Sequence, residues 1–427
     1  MRLRKSISDN WIIEYLMSKV LYTLILTNWF EEELDMYDLV KGKMKSFSAV
    51  FNPRKDLYDR VLIYVLILSF LLRVLWLDQP AGSLIFDERF YVNAVRVILG
   101  LPQKPDMYAG AHVGIDPNTG HPPLAKGIIT LSVLVLGNNA YGFRVPSVLF
   151  GTISIMIFYL LAKKLSGNPQ LALIASFLYS FDNLVFVQSR IAMLDIFMLT
   201  FMILGFYWCI SGRMILSAIA IGLSTLCKYP GIFAVGVVVA YYLLKKSEQG
   251  REYDLKSRLQ VLERFIIAYL AVLLSLLTVL GQLYGGYTNP VDQMAMMFKI
   301  ASKLTSPALT GIASYPWQWL INQAQIPYMV VRGNVMAGGK LVGTVTMVAF
   351  MGAMNPAILY LTVPSVAYVA YRYWRTRSDF NLFAILWFVF TYLPYYPMSF
   401  IFHRMMYIFL FSKHYPSRMS FNIVWTW

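Results

Sequence analysis

Two acids, Asp87 and Glu88, stand side by side in the segment LIFDERFY. A carboxylate at a membrane surface can serve as a general base, taking the proton of an attacking hydroxyl. The plainer account is a helix start, where negative charge is favourable against the macrodipole. A second group is HPPLAK, residues 121–126, whose two prolines set the chain ahead of a first helical turn. His121 and Lys126 then lie at the level of a phosphate headgroup; the alternative is a turn with a snorkelling lysine.

Four further cations interrupt apolar sequence: Arg144 in FRVPS, Arg190 in SRIAMLD, Lys228 in LCKYPG and Arg404 in FHRMMY. Charges at such depth are costly, and those that persist usually pair or bind a ligand. For any one of them, snorkelling or a structural ion pair stands level with a ligand role; four on one side favour an anion site. Asp195 is the deepest acid. Its spacing from Arg190 puts the two side chains ~140° apart on a helix, so its partner is expected on another helix, in a structural pairing.

The elements that must position these groups are membrane helices. The 427-residue chain is 58% hydrophobic and 14% charged, far more apolar than the ~25% charged balance of an ordinary soluble domain. Its net charge of +15 falls in short clusters between apolar runs, which reads as topology and not as nucleic-acid binding. Cys209 and Cys227 both lie within apolar runs, so neither a disulfide framework nor a cysteine zinc site is indicated.

Apolar stretches near 61–77, 143–162, 170–187, 191–210, 213–227, 229–244, 264–284, 356–373 and 380–397 approach the ~17–25 residues of a spanning helix. Basic clusters around Arg54, Lys163, Arg213, residues 245–264 and Arg372 mark the cytoplasmic ends. That orientation holds only if the short run Leu124–Leu136 does not cross. Residues 78–142 and 285–355 then form two outer loops on the non-cytoplasmic face.

In the first loop, residues 88–100 read as an interfacial helix, with Arg89, Asn93 and Arg96 on one stripe and Phe90, Ala94 and Val97 on another. Arg96, like Asp195, is expected to support the site from behind. The second loop carries Trp317, Trp319 and Tyr328, types that settle at headgroup level. Residues 1–57 read as an N-terminal extension with an interfacial helix, and 412–427 as an irregular tail where a tenth helix, begun at Met405, breaks off as if truncated. No zinc-ligand motif is present. GNVMAGGKL, residues 333–341, misses the phosphate-binding P-loop at Asn334 and Leu341.

Taken together, FDERFY, HPPLAKG, FRVPS, SRIAMLDIFMLTF, GLSTLCKYPGIF and FHRMMYIF resemble, in order and spacing, the protein O-mannosyltransferase family of GT-C type membrane glycosyltransferases over residues 58–411. The resemblance implies an all-α polytopic bundle of about ten transmembrane helices in the cell membrane. It further implies transfer of mannose from a polyprenyl- or dolichyl-phosphate carrier to Ser or Thr hydroxyls of a protein, inverting at the sugar and requiring no metal or other cofactor. Asp87 would be the catalytic acid with Glu88 beside it; His121 and Arg144, and with them Lys126, Arg190, Lys228 and Arg404, would surround the phosphate. The second loop is too short for the β-trefoil domain of eukaryotic members, which suits a minimal prokaryotic or archaeal form. Membrane lipids are implied partners, and a dimer is left open. Two other readings compete: a lipid-acceptor enzyme resembling the aminoarabinose transferases, and a transporter, against which stands the lack of repeated halves.

Overall fold

A computed structural model describes residues 51–54, 56–104, 107–246, 255–285, 289–305, 312–323 and 325–407. The expected N-terminal interfacial helix and the tail 412–427 lie outside the described residues. The chain opens with α1 (Leu57–Val74), capped by Asp56, whose side chain accepts from the Tyr58 amide. It continues through α2 (Glu88–Ile98), α3 (Leu124–Leu136), α4 (Ala140–Ser166), α5 (Pro169–Phe181), α6 (Asn183–Gln188), α7 (Leu194–Ile210) and α8 (Met214–Cys227). A 3₁₀ turn, Tyr229–Ile232, leads into α9 (Phe233–Leu244), then α10 (Leu255–Leu280), α11 (Pro290–Ser302) and α12 (Pro316–Leu320). The strands β1 (Ile326–Ala337) and β2 (Lys340–Gly352) precede α13 (Pro356–Thr376), α14 (Asp379–Tyr392) and α15 (Tyr395–Phe400).

The centre of the bundle is α7. Leu194, Ile196, Phe197, Met198, Met202, Ile203 and Phe206 are all buried, as befits a helix that is apolar on every side. It packs against α4 and α8; α8 in turn lies on α10, and α9 on α14. Leu131, Leu134, Val135, Ile174 and Phe177 point outward and are exposed, the pattern of a lipid-facing surface.

The expected helix count is not confirmed, and the all-α expectation is modified. Among the described residues only α4, α10 with its continuation to Gly285, and the stretch Asp379–Phe400 are long and apolar enough to cross a membrane by length and composition; α3, α5, α7, α8 and Tyr229–Leu244 are shorter apolar helices. A count of about ten crossings is therefore not reproduced. The run 170–187 breaks at Asp182, whose carboxylate caps α6 through the Val185 amide and also takes the Asn355 amide. At 13 residues, α5 is ~20 Å long, against ~30 Å of hydrocarbon.

Nor is the fold all-α. β1 and β2 pair antiparallel, and the turn between them is Gly338–Gly339 with φ of 56° and 76°, a backbone that two glycines adopt without steric cost in a two-residue hairpin. The glycines that resemble part of a P-loop are this turn.

Cation-rich segments gather at shared helix ends. The Lys163 ammonium, near the end of α4, contacts Asp56 at 2.8 Å and Asp59 at 2.6 Å at the start of α1. Arg258, at the start of α10, donates to the Tyr242 and Leu243 carbonyls at the end of α9, and the Lys246 amide reaches Asp379 at the start of α14.

Candidate active site

The first outer loop returns to the bundle at Phe86, whose φ of +51° is uncommon for a side chain of this size. Its ring stacks on Tyr328 of β1, with centroids 4.4 Å apart and planes 11° from parallel. Tyr328 is buried, and the Gln188 amide donates to its hydroxyl at 3.3 Å. It closes one wall beside Asp87. Trp319 is also fully buried, while Trp317 is exposed.

Asp87 and Glu88 sit at the start of α2 but have opposite surroundings. Glu88 is fully buried and accepts four hydrogen bonds: from the amides of Ile85 and Ala192, and from Nε and Nη2 of Arg144 at 2.8 Å each. Asp87 occupies the cap position without a side-chain capping bond. Among the described residues its carboxylate accepts no hydrogen bond and forms no ion pair. Burial, aided by Asp195, pushes its pKa up to about 6, with Lys228 and Arg89 acting the other way.

Arg144 has five N–H donors, and all five are taken. Besides Glu88 they reach the carbonyls of Leu77, Gln79 and Ser83. It thereby pins the first loop to α4. Both Glu88 oxygens are likewise met by protein donors. Lys126 is the same case. Its buried ammonium pairs with Asp116 and donates to the carbonyls of Asn118 and His121, so it fixes the loop that carries His121.

His121 packs edge-on against Tyr91, with ring centroids 5.7 Å apart. Burial, and then the nearby cations Lys228, Lys126 and Arg404, hold its pKa well below the ordinary range, so the imidazole is neutral with one N–H to donate. Lys228 follows α8 and reaches Asp195 of α7 at 2.7 Å; the deep acid does pair across helices. The other Asp195 oxygen is buried with no hydrogen-bond partner among the described residues. Arg404 donates to the Ala301 carbonyl at 2.7 Å through one of its nitrogens.

Asp87, His121, Lys228, Asp195 and Arg404 thus share one electrostatic neighbourhood. Arg190 does not join it: it donates to the Leu75 carbonyl, lies over Phe186, and has Arg73 and Arg144 as its charged neighbours. Arg96 braces the back, bonding Asn138, Asn93 and the Lys104 carbonyl.

Sequence reading passed over Tyr91, Asp116 and the part Tyr328 plays. The only signal for Asp116 was an acid ten residues before Lys126, a spacing that no regular element brings together.

The turn after Lys228 is tightly fitted. A Cβ on Gly231 would lie 2.6 Å from Ser224 and Thr225 backbone atoms. Gly231→Ala is therefore expected to displace Lys228 and to weaken donor binding, measured by titration of the purified chain, by about tenfold or more; unchanged affinity would separate this turn from the site.

If the Asp87 carboxylate is the reacting base, its raised pKa fixes the sign of the pH dependence. The base form predominates above about pH 6, so kcat/KM should rise roughly tenfold per unit below that value and level off above it. Asp195→Asn removes a neighbouring negative charge and leaves Lys228 uncompensated, so the midpoint should move down. A midpoint unmoved by that substitution would contradict the coupling.

In sequence and in fold this chain is similar to membrane glycosyltransferases. Within that class, residues 128–284 match the family described as dolichyl-phosphate-mannose-protein mannosyltransferase, and the resemblance read from the motifs is to that same family. A polyprenol-phosphate-mannose–protein mannosyltransferase of Corynebacterium glutamicum is 34% identical over 157 residues, which are 35% of this chain and 28% of the relative. The match thus spans little more than a quarter of that relative's length. The Saccharomyces cerevisiae protein O-mannosyltransferase Pmt1-Pmt2 complex bound to the sugar donor superposes with a TM-score of 0.65 at 12% identity, over 87% of this chain and 85% of that one. ArnT from Cupriavidus metallidurans bound to undecaprenyl phosphate gives 0.53 at 15% identity, over 86% of this chain and 59% of that one. Arg144, Arg190, Asp195 and Lys228 lie within the family match; Asp87, His121, Lys126 and Arg404 lie outside it.

Proposed function

We propose that this protein transfers a mannosyl group from a polyprenyl- or dolichyl-phosphate carrier to a Ser or Thr hydroxyl of a protein, on the non-cytoplasmic face of the membrane. The observation that carries the reading is the contrast within one neighbourhood: a carboxylate without hydrogen bonds at Asp87, and a group of donors at His121, Lys228 and Arg404. In the reaction the acceptor oxygen attacks the anomeric carbon, and its proton passes to Asp87. The bond from that carbon to the phosphate oxygen breaks, and the electron pair leaves with the phosphate. Preorganised donors that meet this growing charge lower the barrier.

A single displacement of this kind inverts the anomeric centre. His121 contributes a neutral N–H, whereas Lys228 and Arg404 contribute charge. Glu88, Arg144, Lys126 and Arg96 act by position, holding the loops on which the reacting groups stand. Cation-rich helix ends opposite the site support its non-cytoplasmic placement.

The test is the stereochemistry of transfer. Donor and glycopeptide product, compared by NMR of the anomeric proton, should show opposite configurations. Retention would require a covalent glycosyl intermediate, for which a lone base makes no provision, and would defeat this reading.

A further inference from the structure

Arg213 and Lys228 bracket the 14-residue helix α8, so they lie ~21 Å apart along its axis. Lys228 belongs to the candidate active site. Arg213 opens onto a separate cleft of about 320 Å³ between α8, α9 and α10. Met214, Ile215, Ile219 and Val261 give it apolar walls, and Arg213 and Arg264 supply two cations. Among the described residues no acid lines it; Glu263 neighbours Arg264 in sequence but is not part of the lining. Among the described residues, neither guanidinium makes a hydrogen bond or an ion pair. Nothing in the transfer reaction uses this end of the helix.

Two cations with no partner among the described residues, beside an apolar wall at the cation-rich end of a membrane bundle, match the two halves of a phospholipid: a phosphate and an acyl chain. We infer that this cleft binds the phosphate group of an anionic glycerophospholipid in the leaflet at that end, with an acyl chain along Ile215, Ile219 and Val261. Each basic side chain near a membrane surface adds to the attraction for anionic lipid, and the apolar walls distinguish a lipid from a free anion.

The test uses the full chain in phosphatidylcholine nanodiscs titrated with phosphatidylglycerol, with retained lipid counted by native mass spectrometry. Arg213→Gln with Arg264→Gln should weaken phosphatidylglycerol retention roughly tenfold or more. The charge-preserving pair Arg213→Lys and Arg264→Lys should keep most of it, which separates loss of charge from loss of fold. Unchanged retention in the glutamine pair would overturn the site. Displacement of the lipid by millimolar inorganic phosphate, but not by chloride of equal ionic strength, would overturn the lipid assignment in favour of a free phosphate.

Discussion

Replacing Asp87 by asparagine is expected to lower the rate of sugar transfer by ~10²–10⁴-fold, the range for removal of a general base, while donor affinity changes little. Asparagine keeps the size of the side chain and its place at the start of α2, but it cannot take up the acceptor proton. Glu88 cannot stand in for it. That carboxylate is fully buried and committed to four donors on three segments, and turning it outward would abandon Arg144. The discriminating measurement is a split between kcat and donor Kd. A variant with normal turnover would remove Asp87 from the chemistry, and one that fails to bind donor would make it a recognition group.

The second large effect is structural. Removing one partner of a buried ion pair strands the other, at a cost of ~3–5 kcal/mol. Glu88→Ala and Arg144→Gln should therefore both lower the temperature at which the detergent-solubilised chain loses its fold. They should also impair transfer, because Asp87 is adjacent to Glu88 and Arg144 holds the loop that precedes it. The double variant should be less damaging than the sum of the two singles, since no uncompensated charge remains. Were Arg144 a phosphate ligand instead, Arg144→Gln would leave thermal stability intact and raise only the donor Kd.

The residues gathered in the candidate site stand out in the sequence because their types are rare in apolar surroundings. Arg144, Lys228 and Asp195 stand out against the runs that contain them. That Asp195 pairs with a residue of another element was expected from a helical spacing that does not hold, because Arg190 lies in the turn before α7. What could not be read was how donors and acceptors are shared out. Asp87 and Glu88 are neighbours of like chemistry, yet they lie ~100° apart on a helix, so one faces the ligand space and the other the bundle. That choice depends on Ala192 and Arg144, far away in the chain. Lys126 was assigned to a phosphate because Asp116, its partner across the HPP turn, belongs to no periodic element.

The fold divides similarly. The 3.6-residue pattern marked α2, and the short apolar run α3, nearly to the residue. It ran 170–187 together because one aspartate in an apolar run looks tolerable until Asp182 is seen capping α6. The hairpin was missed because Gly338 and Gly339 were weighed as part of a nucleotide motif, whereas their conformational freedom serves a turn. Tyr328, carried by that hairpin to Phe86, is the clearest case of a site wall supplied by an element that the periodicity did not announce.

The central claim is tested most directly by incubating membranes that contain the full chain with radiolabelled polyprenyl-phosphate-mannose and a Ser/Thr-rich peptide, beside membranes carrying Asp87→Asn. The expected result is label on peptide hydroxyls from the parent chain and almost none from the variant. Label entering a lipid fraction with none on the peptide, or equal peptide labelling by both chains, would contradict it.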